Sequence, residues 1–177
     1  MTNAVHMRLH AHPGFAAVQT ETIDRAGYTA LLVRLHGFHR PFEIIAGLPP
    51  VRSSRLACDL ADLGIDAERL GRLSHCQNIP ALRTPGDILG ARYVVEGSAL
   101  GGRGLARHLD ALLGTGVIAG RRFFSGSGAG TGAAWRAYLA QLAGVSGDAA
   151  ARRRIVGAAA ATFAAFEAWL QDWNEVQ

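Results

Sequence analysis

Leu89-Gly-Ala-Arg-Tyr-Val-Val-Glu-Gly-Ser-Ala-Leu-Gly-Gly-Arg-Gly104 places Gly90, Gly97, Gly101, Gly102 and Gly104 inside an otherwise helical pattern. Just upstream, Thr84, Pro85 and Asp87 supply an N-cap, a first-turn proline and an acid at the positive helix end, so a helix is expected to open at 84 and run to 113. Each interior glycine costs about 1 kcal/mol relative to alanine, so the segment needs an offset of roughly 4 to 5 kcal/mol. Backbone approach to a flat ligand, close packing on a neighbouring helix, or a functional bend near Gly101-Gly102 would each provide one. Spacing alone leaves all three open.

Helical periodicity extends on both sides. Tyr28, Leu31, Leu35, Phe38, Phe42 and Ile45 recur at spacings of three and four, which predicts a helix with one buried face that Pro41 should kink or interrupt. A helix over 51–63 puts Leu56, Leu60 and Leu63 on one face and stops at Gly64, with a short helical turn after Asp66. Downstream, 114–130 reads as a glycine- and serine-rich loop around Phe123-Phe124, and 133–142 as a helix. After 144–147, a last helix carries Ile155, Ala159, Thr162, Phe166, Trp169 and Trp173 on one stripe. Nothing reads as a strand, and no internal repeat of about 30 to 45 residues is present. A chain of 177 residues suits one core. The expected fold is therefore all-α, a compact single-domain multi-helix bundle spanning 1–177.

Composition narrows the function. The net charge is +4, yet every basic residue is arginine, scattered singly or in the short groups at 121–122 and 152–154. No basic stripe with interleaved aromatics appears, so nucleic acid is not an expected partner. Guanidinium pairs carboxylates through a bidentate fork, which would suit a planar dicarboxylate ligand. The greasiest stretch, 155–170, carries Glu167 and is mostly alanine, so no membrane span is expected. Residues 1–8 lack the layout of a secretory signal, and Cys58 and Cys76 have no metal or redox spacing. A cytoplasmic location and two small buried thiols are the expectation. No flavin or nicotinamide motif is visible.

Tyr93-Val-Val-Glu-Gly-Ser-Ala-Leu-Gly-Gly102 closely resembles the distal-helix motif of bacterial heme oxygenases, especially those that supply biliverdin to bacterial phytochromes. The resemblance covers nearly the whole chain. The segment 28–43, with its aromatics and Pro-Phe-Glu ending, looks like the family's second helix, and 55–64 like its Asp-Leu stretch. Phe123-Phe124, Trp135-Arg136 and the helix with Thr162-Phe163 match as well. His6-Met-Arg-Leu-His-Ala-His-Pro-Gly-Phe15 looks like the family's proximal histidine followed by its His-Pro tail, so register selects His6, ahead of His10 and His12.

The resemblance implies a heme held between His6 as iron ligand and a distal helix whose Gly97, Ser98, Gly101 and Gly102 leave room for dioxygen and ordered water. It further implies Phe163 and Arg136 as heme contacts, Arg136 facing a propionate and Phe163 forming an aromatic wall. Tyr93 and Arg92 are weaker candidates for heme contact. Many family members carry an aspartate on this helix, where the neighbourhood here offers Ser98 and, two residues earlier, Glu96. The implied reaction opens the porphyrin with dioxygen, giving biliverdin, carbon monoxide and ferrous iron. Electrons would come from a ferredoxin or reductase, and a bacterial phytochrome would accept the product. The alternatives are a heme carrier or sensor of the same fold, and a helical interaction protein without heme.

Overall fold

The structure is a computed structural model that describes residues 8, 11–128, 130–145, 148–171 and 173, and these contain nine helices and no strand. They are α1 (Pro13–Gln19), α2 (Arg25–Ile45), α3 (Val51–Asp62), α4 (Ala67–Gly71), α5 (Pro85–Arg107), α6 (Asp110–Leu113), α7 (Arg122–Ser125), α8 (Gly130–Val145) and α9 (Ala149–Leu170). The expected all-α architecture is the one observed. Helix α5 packs most extensively on α9, and α2 on α3.

The predicted stripe of α2 forms the centre of the core. Tyr28, Leu31, Leu35, Phe38 and Phe42 are buried together with Leu56 and Leu60 of α3, Ala91 and Val95 of α5, and Phe166 and Leu170 of α9. Ile45, expected on that stripe, is exposed at the helix end. The caps follow the sequence: Thr84 accepts from the Asp87 N–H and Asp87 returns the bond to the Thr84 N–H, a complete capping box.

Three expectations need correction. Pro41 does not interrupt α2, which continues from 25 to 45. A proline leaves the carbonyl four residues earlier without its donor, and here that carbonyl, Gly37 O, accepts from the Cys76 N–H at 2.9 Å. Gly37 is what lets the 74–76 segment approach, since a Cβ there would lie 2.5 Å from Ser74 O and 2.6 Å from Trp169 Cζ2. Helix α5 ends at Arg107 instead of reaching 113, and α6 restarts at Asp110. The buried Arg121 guanidinium donates to Ala106 O at 2.9 Å and Leu109 O at 3.3 Å, taking carbonyls that a continuous helix would use. Of the two cysteines only Cys76 is buried, and Cys58 is exposed on the outer side of α3.

The glycines of α5 divide by role. At Gly90 a Cβ would meet Ile155 O at 2.1 Å, so α9 backbone occupies the space a side chain would need. Gly90 thus sets how closely α5 and α9 pack. At Gly104 a Cβ would meet nothing within 4 Å. Gly90→Ala is expected to lower the unfolding free energy by a net of about 1 to 2 kcal/mol, the overpacking loss less the helix-propensity gain. Gly104→Ala should raise it by up to about 1 kcal/mol. Equilibrium unfolding of both variants, followed by circular dichroism, checks the pair, and equal effects would contradict the assignment.

Candidate functional site

Beyond Gly90 along α5, a cavity of about 390 Å³ opens, bounded by α5, α2, α7, α8 and α9. Its volume falls within the range of small-molecule sites, roughly 300 to 1,000 Å³. Gly97, Gly101 and Gly102 line it. A Cβ at Gly97 would sit 3.6 Å from Trp135, at Gly102 3.4 Å from Phe124 O, and at Gly101 would meet nothing within 4 Å. None of the three is forced by helix packing, in contrast to Gly90. They bare a strip of α5 backbone to the cavity.

The facing wall is aromatic, and two carboxylates, the buried Asp59 and the exposed Asp62, hold it in place. Asp59, with no solvent exposure, accepts from the backbone N–H of Arg122 and of Phe123, both at 2.8 Å. Asp62 accepts from the Gly120 N–H at 2.8 Å, and the Arg122 guanidinium bridges both acids. The loop expected over 114–130 therefore carries the short helix α7, whose Phe123 and Phe124 face the cavity. Burial raises the pKa of Asp59, and the two backbone N–H groups and Arg122 oppose it. Glu43 plays the same part at the start of α3, accepting from the N–H of Arg52 at 2.7 Å and of Ser53 at 3.2 Å. Pro50, the residue at the N-cap of α3, has no capping side chain of its own. On the other side, Trp135 packs on Tyr93 at 5.6 Å and on Tyr138 at 5.5 Å, and the Tyr138 hydroxyl donates to Leu89 O at 2.6 Å.

The polar side chains that line the cavity are His39, Arg52, Tyr93 and Ser98. His39 is 2% exposed, its Nδ1 has no hydrogen-bond partner among the described residues, and burial holds its pKa well below the usual histidine range. Arg52 pairs with Glu96 at 3.1 Å. Glu96 also faces Arg92 at 3.5 Å and does not line the cavity. Ser98 Oγ donates to Val95 O at 2.9 Å, which commits its proton and leaves its oxygen as an acceptor.

Tyr93, Gly97, Ser98, Gly101, Gly102 and Phe163, all singled out by sequence, meet on this one cavity. Arg136 does not line it; its side chain is exposed on α8 next to Trp135, which does. His6 and His10 lie outside the described residues. His12 has both ring nitrogens engaged: Nε2 bonds Leu170 O at 2.9 Å and Nδ1 accepts from the Gly14 N–H at 3.2 Å, capping α1. Sequence reasoning missed His39 and Arg52. His39 was detectable, because it sits four residues after Leu35 and three before Phe42, a polar residue at a core position. Arg52 carried no local signal, since its partner Glu96 is 44 residues away.

Two predictions follow from these buried groups. His36, 2% exposed, has its pKa lowered to about 4 by burial, with His75 and Arg40 adding to the effect. Its folded pKa thus lies below its unfolded value near 6.5, so the unfolded chain takes up the proton first. Stability is complete above about pH 6.5 and is lost as the pH falls toward 4, by about 3 kcal/mol for this group. His39, His12 and His75 shift in the same direction, whereas the lowered carboxylates Asp62 and Asp87 act only below their usual 3.8. Urea midpoints measured from pH 7 to 4.5 should fall, and a flat profile would refute the histidine origin. Asp59→Ala should remove about 3 kcal/mol or more by leaving the α7 N–H groups unpaired in the interior. Chemical shift changes in its amide spectrum should be strongest at 120–125.

A model of the heme oxygenase family matches residues 1–172 of the chain. No curated protein and no solved structure gives a match.

Proposed function

Because the chain belongs to the heme oxygenase family, we propose that it binds heme in the cavity beside α5 and opens the porphyrin ring, giving biliverdin, carbon monoxide and ferrous iron. The observation that carries this reading is the strip at Gly97, Gly101 and Gly102: three glycines that packing does not require, bared to a cavity with aromatic walls. A flat macrocycle lies against such a strip at van der Waals distance, where any larger side chain would hold it off. Tyr93, Trp135 and Phe163 supply apolar area around it.

Bound heme supplies an iron that activates dioxygen, and the chain supplies the setting. His6 is the proposed iron ligand, with His10 as its competitor; His12 is withdrawn because both of its ring nitrogens are engaged. The described residues that follow His6 lead to the cavity: Arg8 forks Glu167 of α9 at 2.7 and 3.0 Å, and Phe15 lines the wall. Ser98 presents an acceptor oxygen that orders water without offering a strong acid. Arg136, exposed beside Trp135, is the proposed partner of a propionate at the rim. Electrons come from an external donor, a ferredoxin or reductase, and a bacterial phytochrome is the proposed biliverdin acceptor. No helix among the described residues is long and apolar enough to cross a membrane, and a cytoplasmic setting is part of the proposal.

A second reading, a non-catalytic heme carrier of the same fold, is favoured by one observation: no carboxylate among the described residues lines the cavity, and Ser98 has spent its proton on Val95. Hemin titration by Soret absorbance, continued with ascorbate under air, separates the two. Saturable binding that weakens at least about tenfold, roughly 1.4 kcal/mol, in His6→Ala and in Gly101→Phe, together with biliverdin from the unaltered chain, is the expected result. Binding without biliverdin would establish the carrier, and no saturable binding would remove both readings.

A further inference from the structure

Three histidines form a row from the cavity toward the surface. His39 of α2 lines the cavity; His36, one turn earlier on the same helix, is equally buried at 2% exposure. His75, in the segment between α4 and α5, is partly exposed, and its ring centroid lies 6.0 Å from that of His36. Each ring keeps one buried nitrogen without a hydrogen-bond partner: Nδ1 of His39, Nδ1 of His36 and Nε2 of His75. Five buried side-chain nitrogens or oxygens are in that condition among the described residues, and three of them belong to this row.

An unpaired nitrogen in the interior destabilises a fold, so its recurrence on the ring pair His36–His75 and on His39, three residues further along α2, needs a use. Neutral imidazole has one N–H and one lone pair, and can take a proton at one nitrogen while releasing one from the other. Arg40 bears on His36 and His75, and Arg52 bears on His39; both disfavour a resident positive charge on the rings. The ring pair at 6.0 Å leaves a gap that one bridging water or a small ring rotation closes.

We propose that His75, His36 and His39 form a proton conduit from solvent to the cavity. A proton taken up by His75 leaves from its Nε2 to His36 Nδ1. His36 releases its own proton toward His39 Nδ1, and His39 passes one into the cavity, after which the rings return to their starting tautomers. No net charge stays on the row. Its use rests on the proposed function: dioxygen being reduced by the external donor takes up protons with those electrons, and among the described residues no carboxylic acid lines the cavity to deliver them.

The conduit is tested first on the chain without heme. Long-range proton–nitrogen correlation spectra of the imidazole rings report which nitrogen of each ring carries the proton. Replacing His75 by Ala, at the partly exposed end, should shift the tautomer balance of both His36 and His39, although residue 75 is remote from the cavity. His36→Phe should do the same to His39. Unmoved His36 and His39 ring signals in His75→Ala would overturn the conduit. The second arm loads the same variants with hemin and follows ring opening with ascorbate under air. Hemin affinity should be unchanged and turnover slower by roughly tenfold or more; equal turnover would overturn the conduit's part in the reaction. If hemin binds to none of the proteins, the proposed function falls, while the ring spectra still decide the conduit.

Discussion

The Gly90 to Ile155 contact sets the geometry on which the site depends. A carbonyl of α9 occupies the position that a side chain on α5 would take, so the two longest-packed helices are pinned close at that level. Further along α5, a Cβ at Gly97 would meet only the Trp135 ring, at Gly101 nothing, and at Gly102 the Phe124 backbone at an ordinary contact distance of 3.4 Å. One run of glycines thus does two jobs. The first brings the helices together, and the later ones leave part of the gap between them unfilled. The helix-propensity loss of the run is offset at Gly90 by packing, whereas at Gly97, Gly101 and Gly102 no close backbone approach demands a glycine.

Acids that accept backbone N–H bonds organise the walls. Glu43 caps α3 from the end of α2, and Asp59 and Asp62 of α3 cap the turn that carries Phe123 and Phe124. Glu43 and Asp59 are taken out of water but accept backbone N–H bonds that would otherwise be orphaned at a helix start, so the desolvation penalty and the unsatisfied donors offset one another, while Asp62 adds its bond to the Gly120 N–H from an exposed position. The result is a relay of positions: α2 fixes α3, α3 fixes α7, and α7 places two phenylalanines on the cavity. Arg121 serves the opposite end, gathering the carbonyls of Ala106, Leu109 and Gly114 where α5 stops.

Alongside these paired groups stand histidines that are buried but not paired. His36 and His39 lie on the same face of α2 that builds the core, and burial keeps both neutral near pH 7. They tie acid sensitivity of the fold to the same side chains that connect the cavity with His75. A protein that needed only packing at 36 and 39 would be served as well by leucine or phenylalanine.

Much of this was legible in the sequence. Periodicity of three and four exposes which face of each helix is buried, because a 3.6-residue turn repeats locally, and so the helices, the α2 stripe, the capping box at Thr84 and the anomaly of the α5 glycines could all be read from neighbouring residues. The cavity set of Tyr93, Gly97, Ser98, Gly101 and Gly102 came instead from the resemblance of one motif on that helix to the heme oxygenase distal helix. What sequence could not decide depends on partners far along the chain: Cys76 rescuing the carbonyl that Pro41 frees, Arg121 ending α5, Arg52 turning to Glu96, and the separation of Gly90 from the other glycines. Those outcomes turn on distances of about 3 Å between segments tens of residues apart. Local pattern carries no record of such distances, and only the packed tertiary structure fixes them.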